Sequence, residues 1–314
     1  MASPSYVYPR GGSLRHLALV GCTASGKSAL AVELAKRVGK VEILSGDSMQ
    51  VYRHMDIGTA KATSKLRGEV PHHLLDLTDP DDDFDVTRWV RAARAALTEI
   101  EARGSVALLV GGSGLYVQAL LDGLDPPGRW LEIAAQLDAE PDTERLYRRL
   151  ALLDPLGASR MEPTNRRRII RALEATIGSG KPFSSFGPGL DKYPPTSWHV
   201  AGVWLPRPVV AERISLRLRD MLAEGFVEEV RSLLERPQGW SRTARQALGY
   251  RELAAHLESG VPLDQAVVLA ESHTRRFSVR QRSWWRRDPR ITWYETEENP
   301  LAVADAMLRD WKRR

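Results

Sequence analysis

Residues 17–30 read Leu-Ala-Leu-Val-Gly-Cys-Thr-Ala-Ser-Gly-Lys-Ser-Ala-Leu. An apolar run predicts a buried strand, Gly21-x-x-x-x-Gly26-Lys27-Ser28 follows, and a helix-forming stretch over 28–38 comes next. That order is a diphosphate cradle. Gly21 and Gly26 let the backbone wrap until the amides of Thr23, Ala24 and Ser25 point inward. Lys27 adds a point charge, Ser28 offers a hydroxyl for Mg²⁺, and the positive end of the helix faces the anion. The loop names no reaction by itself, since NTPases, kinases and diphosphate-cleaving transferases all use it.

Outward from the loop, residues 41–44 and 106–110 are short apolar runs bounded by turn residues and predict two more buried strands. Between them Asp85 is placed to cap a helix. Val86, Val90, Ala93, Leu97 and Ile100 line one face of it, and Gly104 closes it. The expected fold class is α/β, a P-loop NTPase-like core with a parallel sheet and flanking helices. From Leu124 the strands stop, and 129–178 predicts three or four helices, the last starting at Thr164 or Asn165. A Gly/Pro/Ser-rich connection runs over 178–195. Residues 199–205 then read as a strand returning to the sheet, so the helical block is an insertion. The expected organisation is a leader over 1–13, a core over 14–123 and 199–314, and a helical insertion over 124–198. Helices over 208–223, 225–235 and 263–286, a strand over 290–294 and a terminal helix ending in Lys312-Arg313-Arg314 complete the core.

The chain has 314 residues, with 45 Lys+Arg against 40 Asp+Glu and a net charge of +5. The excess is modest but its distribution is uneven. Acidic residues recur at 79–85, whereas arginines gather over 166–171 and 275–290. A single cysteine, Cys22, excludes an internal disulfide and a multi-cysteine zinc site. No apolar run approaches the roughly 20 residues of a membrane span, and the expectation is a cytoplasmic enzyme.

The second strand ends in Ser45-Gly46-Asp47-Ser48-Met49-Gln50. In a parallel sheet the carboxyl ends of the strands open onto one crevice, so Asp47 is expected to face the phosphate loop, as a Mg²⁺ ligand, a base, or a cap for a following helix. The strand over 106–110 ends in Gly111-Gly112-Ser113-Gly114 where an ATPase would often carry a carboxylate. There the glycines allow close approach of a ligand and Ser113 offers a hydroxyl, either to the site or as a helix cap. Lys61 is either a surface lysine or a phosphate contact, and His72-His73 has no companion at metal-ligand spacing. Arg166, Arg167, Arg168 and Arg171 open one helix. Arg275, Arg276, Arg280, Arg282, Arg286 and Arg287, with Trp284 and Trp285, crowd another. Arginine with interleaved aromatics suits a phosphate backbone and unstacked bases, as in RNA loops.

Taken in order, these motifs resemble one family, the tRNA dimethylallyltransferases of bacterial type. The resemblance rests on 21–28, Asp-Ser-Met-Gln-Val-Tyr at 47–52, Asp-Ile-Gly-Thr-Ala-Lys at 56–61 and Pro-His-His-Leu-Leu-Asp at 71–76. It continues with Gly-Gly-Ser-Gly-Leu-Tyr at 111–116, Arg-Arg-Ile-Ile-Arg-Ala-Leu-Glu at 167–174, Leu-Gly-Tyr-Arg-Glu at 248–252 and Arg-Gln-x-x-Trp at 280–284. Cys22 and Ala62 stand where that family usually has proline, Ser113 replaces threonine, and Val279 replaces lysine. The resemblance implies transfer of a dimethylallyl group from dimethylallyl diphosphate to the exocyclic N6 amine of the adenosine just 3′ of the tRNA anticodon. It further implies Asp47 as base with Ser113 as helper, and Arg217 facing the diphosphate. Ser28 would carry Mg²⁺. The tRNA segments would be 47–50 (Asp47, Ser48, Met49, Gln50), Ser113, 167–171 (Arg167, Arg168, Ile169, Ile170, Arg171), Arg280 and Gln281. The expected partners are dimethylallyl diphosphate and the tRNA anticodon stem-loop, with the enzyme a monomer. A P-loop small-molecule or nucleotide kinase is the rival.

Overall fold

The computed structural model describes residues 14–187 and 189–313, so the expected leader lies outside the described residues. Six parallel strands form one sheet. β1 (Leu17–Val20) is central, between β4 (Val106–Gly111) and β5 (His199–Trp204); β2 (Val41–Ser45) lies outside β4, β3 (His72–His73) outside β2, and β6 (Thr292–Glu295) outside β5. Every residue of β1 and β2 is buried, which is why β1 reads as an apolar run without alternation, while β2 buries Glu42 and Ser45 among its apolar residues. Leu17 and Leu19 face one layer with Ile43, Leu108 and the helix Lys27–Val38. Ala18 and Val20 face the other, with Leu44, Leu109, Trp89 and Val117. The chain winds to one side of β1 through β2 and to the other through β5, so the ends of β1, β2 and β4 open onto a switch point.

Residues 131–179 carry four helices, Leu131–Asp138, Thr143–Leu153, Pro155–Ser159 and Arg166–Ser179, around a core of their own built on Leu146, Leu150, Ile169, Ala172 and Leu173. Both connections to this unit are tied to the sheet body. Arg290 donates to Asp122 Oδ1 at 2.6 Å, where the chain leaves, and to the Pro194 carbonyl at 2.8 Å, where it returns.

The structure adds helices at Ser64–Glu69, Arg242–Arg245 and Tyr250–Ser259 and the two-residue β3, none of which the sequence reading expected. The helix Tyr250–Ser259 has a physical reason for being overlooked. It starts at Gly249, which has φ +85° and no side chain to cap with, and Glu252 reaches back to the Gly249 N–H at 2.9 Å. The strand expected over 290–294 begins two residues later because the Arg290 N–H and guanidinium both turn to Asp288. Among the described residues no helix is long and apolar enough to cross a membrane.

One buried carboxylate on the sheet has a pH signature. Glu42 of β2 takes Arg103 Nη2 at 2.8 Å and His73 Nε2 at 2.7 Å, and the Arg103 guanidinium leads in holding its carboxyl down from the ordinary 4.5 to about 2. A depressed folded-state pKa contributes stability that is present above the unfolded value and lost as pH falls through the folded one. Glu42→Gln is therefore expected to lie below wild type in thermal or urea unfolding at neutral pH. The gap should close between about pH 4.5 and 2; a gap constant over that range would detach Glu42 from the acid limb.

Candidate active site

The phosphate loop is braced from the far end of the chain. Gln281 Oε1 accepts the Thr23 N–H at 2.7 Å and Arg213 Nε donates to the Ala24 carbonyl at 3.0 Å. Gly26 sits at φ +79° with Pro300 against it, so a Cβ there would lie 2.2 Å from the proline ring as well as strain the backbone. Lys27 Nζ rests on the Cys22 carbonyl at 3.2 Å. Burial pulls the Lys27 pKa down, with the charge of Asp47 opposing that shift. The Cys22 thiol is itself pushed up by burial.

Asp47 follows β2 without starting a helix, which removes the capping alternative. Its Oδ1 instead accepts the Met49 N–H at 2.8 Å in a local turn. Ser113 stands at the N-terminus of the helix Gly114–Leu121 without capping it with its side chain. Its Oγ accepts the Ser48 N–H at 3.2 Å and lies 3.3 Å from Ser48 Oγ, which joins the turns after β2 and β4.

The glycines between were expected to admit a ligand, and the structure assigns them another duty. A Cβ at Gly111 would lie 2.5 Å from the Gly46 carbonyl, one at Gly112 2.4 Å from the Gln281 amide, and one at Gly114 2.4 Å from the Trp284 ring. What approaches closely is the protein itself. Gln281 is accordingly buried against the loop, and its side chain braces the phosphate site while lining the first chamber.

Two cavities meet in front of the loop. One, of about 750 Å³, is lined by Lys27, Ser28, Arg213, Arg217 and Thr59; the other, of about 550 Å³, by Ser113, Arg167, Arg280, Phe226 and Tyr250. Asp47, Arg217, Met221 and Phe277 line both, so they form the throat between the chambers. Burial disfavours the charge on Arg217 and Asp47 opposes that effect. The first chamber is cationic at its loop end, whereas the second has an apolar floor with arginines at its rim.

The basic helix of the insertion divides by face. Arg167 is exposed and lines the second chamber, and Arg168 is exposed beside it. Arg171 instead donates to the Pro127 and Gly128 carbonyls at 2.6 and 3.0 Å and pairs with the buried Glu174 at 3.0 Å. Ile169 is fully buried in the insertion's core and Ile170 packs against it, so neither the guanidinium of Arg171 nor the side chain of Ile169 is free for RNA. On the C-terminal helix Leu263–Trp285, Arg280 reaches the chamber. Arg282 is buried over Trp204 and donates to the Leu205 carbonyl at 2.7 Å. Gln50 spans from Ser45 Oγ to the carbonyls of Thr59 and Ala60, which makes it a strut inside the site.

Lys61 is neither a surface lysine nor a phosphate contact. Its buried ammonium donates to Asp56, Asp76 and the Tyr52 carbonyl at 2.6, 2.7 and 2.6 Å. His72 lies 2.7 Å from the Val70 carbonyl, and among the described residues no cluster of three or more His, Cys, Asp or Glu could hold a metal. Sequence reasoning missed Arg213, although its position four residues before Arg217 puts both on one helix face. It also missed Phe277, one turn before the Arg280-Gln281 pair.

The family model for IPP transferase matches residues 50–288. The chain is 43% identical over 306 residues to a tRNA dimethylallyltransferase of Geobacter sulfurreducens, an alignment covering 95% of this chain and 97% of that one. It is 44% identical over 288 residues to that of a Nocardioides species, covering 91% and 92%. A solved tRNA isopentenylpyrophosphate transferase of Bacillus halodurans superposes with a TM-score of 0.68 at 32% identity, covering 96% and 99%. A eukaryotic dimethylallyltransferase solved acting on tRNA superposes with a TM-score of 0.77 at 24% identity, covering 95% of this chain and 78% of that one, and shares the fold.

Proposed function

The chain belongs to the IPP transferase family, and from the two joined chambers we infer that it transfers a dimethylallyl group from dimethylallyl diphosphate to tRNA. The acceptor we propose is the exocyclic N6 amine of the adenosine 3′-adjacent to the anticodon. The observation that carries this reading is the position of Asp47, in the throat between a cationic chamber and an arginine-rimmed one. The diphosphate lies on the amides of the phosphate loop, Lys27 and Arg217, with its allyl carbon at the throat. The adenine, unstacked from its loop, comes in past Ser113 and Arg167.

The N6–C bond forms as the C–O bond to diphosphate breaks, and the proton leaves N6 for the Asp47 carboxylate. Diphosphate departs with its charge met by Lys27, Arg217 and the loop amides. Ser113 holds the Ser48 turn that flanks the base. Mg²⁺ fits this site as a substrate-borne ion, since Mg²⁺ keeps most of its ligands as water and phosphate oxygens and needs few from protein. Ser28, which opens onto the first chamber, would hold it, and its chemistry would be neutralising the leaving diphosphate. The helical unit over 124–198 grips the anticodon stem-loop, with Arg167 and Arg168 on phosphates. One chain supplies both chambers, so the proposed acting unit is the monomer, and tRNA as substrate sets it in the cytoplasm.

Incubation with labelled dimethylallyl diphosphate and a tRNA bearing that adenosine is expected to move label to the tRNA and release diphosphate, while a tRNA without it stays unlabelled. Phosphate transfer from ATP to a nucleoside, with no prenyl transfer, would return the kinase. In the same assay Arg167→Ala should raise the KM for tRNA and reduce the magnitude of its log–log salt slope by about 0.7–0.9. The KM for dimethylallyl diphosphate should hold within twofold; an unaltered slope and KM for tRNA would leave Arg280 as the rim contact.

A further inference from the structure

Two motifs, residues 56–61 and 248–252, find no place in the chemistry above, and one carboxylate joins them. Glu229, on the helix Phe226–Leu234, accepts the Asp56 and Ile57 N–H groups on Oε2, both at 2.8 Å. Its Oε1 accepts the Gly58 N–H at 3.2 Å and the Tyr250 hydroxyl at 2.6 Å. Three successive amides converging on an anion are the geometry of a phosphate-binding loop, here filled by the chain's own carboxylate. The loop is pressed hard onto its support: a Cβ at Gly58 would lie 2.2 Å from the Phe226 ring and 2.5 Å from Tyr250. Lys61 pins the loop's other end through Asp56 and Asp76.

The loop's output faces the throat. The Thr59 carbonyl accepts from Gln50 Nε2 at 3.1 Å and from Arg217 Nη2 at 3.5 Å, and Thr59 lines both chambers. Among the described residues the Arg217 guanidinium donates to this carbonyl and otherwise faces the chamber, where a long side chain without a partner samples many rotamers.

We propose that Glu229 is a positioning residue for the diphosphate end of the site, fixing the 56–59 loop so that the Thr59 carbonyl aims Arg217 across the throat. The proposal rests on the reading above, in which Arg217 meets the diphosphate. Glu229→Gln keeps the size but turns one acceptor into a donor facing the Gly58 N–H and the Tyr250 hydroxyl. It is expected to weaken dimethylallyl diphosphate about tenfold, the order of one charge-assisted contact. That loss should appear in calorimetry without tRNA and in the transfer KM, with the KM for tRNA within twofold.

A merely structural role would act independently of Arg217, whereas a positioning role would not. In an Arg217→Met background, which is weak by itself, adding Glu229→Gln should cost less than twofold more. An undiminished tenfold loss in that background would overturn the proposal, as would an unchanged affinity in the single variant. Should Glu229→Gln not fold, Tyr250→Phe removes one of the four bonds. It is then expected to weaken dimethylallyl diphosphate by at least about twofold, and no change would equally overturn the proposal. A wild-type protein that binds no dimethylallyl diphosphate would sink the functional reading instead, so the two failures are distinct.

Discussion

Asp47→Asn is expected to lower the single-turnover rate of prenyl transfer by roughly 10²-fold or more. The exocyclic amine of adenine is a weak nucleophile because its lone pair is delocalised into the ring, and bond formation to carbon acidifies its protons. In the proposed mechanism the Asp47 carboxylate at the throat takes one of them as the bond forms, which an amide cannot do. The substitution is clean because Asn keeps the oxygen that accepts the Met49 N–H at 2.8 Å, so the turn after β2 survives. Affinity should therefore hold, within a few-fold for tRNA. For the diphosphate the sign is favourable: Asp47 is a negative charge close to Lys27 and Arg217, and removing it leaves an anion better received. Near-wild-type turnover would take the base role from Asp47. A tenfold loss of diphosphate affinity would place it among the binding groups.

Lys27→Ala should also cost about 10²-fold in turnover, with weaker binding of dimethylallyl diphosphate. Among the described residues the Lys27 ammonium donates to one group, the Cys22 carbonyl at 3.2 Å. On the proposed mechanism it is a charge held ready for the leaving group, and it carries little of the loop's geometry. The loop keeps its shape in the variant through Gln281, Arg213 and Pro300. Binding of tRNA, which is proposed to engage the other chamber, should stay within twofold. Abolished tRNA binding with an unaltered diphosphate affinity would reverse the assignment of the two chambers.

The sheet was legible because burial on both faces writes itself into sequence as unbroken apolar runs, and β1 was read to the residue. The phosphate loop and Asp47 were legible for a related reason: each follows directly from a strand, so local sequence places it. What sequence hid was direction. Arg167 and Arg171 look alike four residues apart, yet one meets the chamber and the other closes on Pro127, Gly128 and Glu174. The run Gly111-Gly112-Ser113-Gly114 announces close approach without saying of what, and the answer, Gln281 and Trp284, comes from the last helix before β6. Glu229 is less legible still. On an amphipathic surface helix a glutamate reads as solvated, and the amides it holds lie 171 to 173 positions away in the chain.

The same remoteness bears on how the protein comes off the ribosome. The cradle is written at residues 21–28, but the amide of Thr23 waits for a side chain 258 residues downstream, and Gly26 for a proline at 300. Chains are made from the N-terminus and their early parts fold first. A nascent chain thus carries a recognisable motif long before it carries a finished anion site. Premature termination between Ser28 and Gln281 leaves the signature sequence intact and the loop without the Gln281 brace. The bracing of the loop is therefore complete only once residues 281–300 have been made.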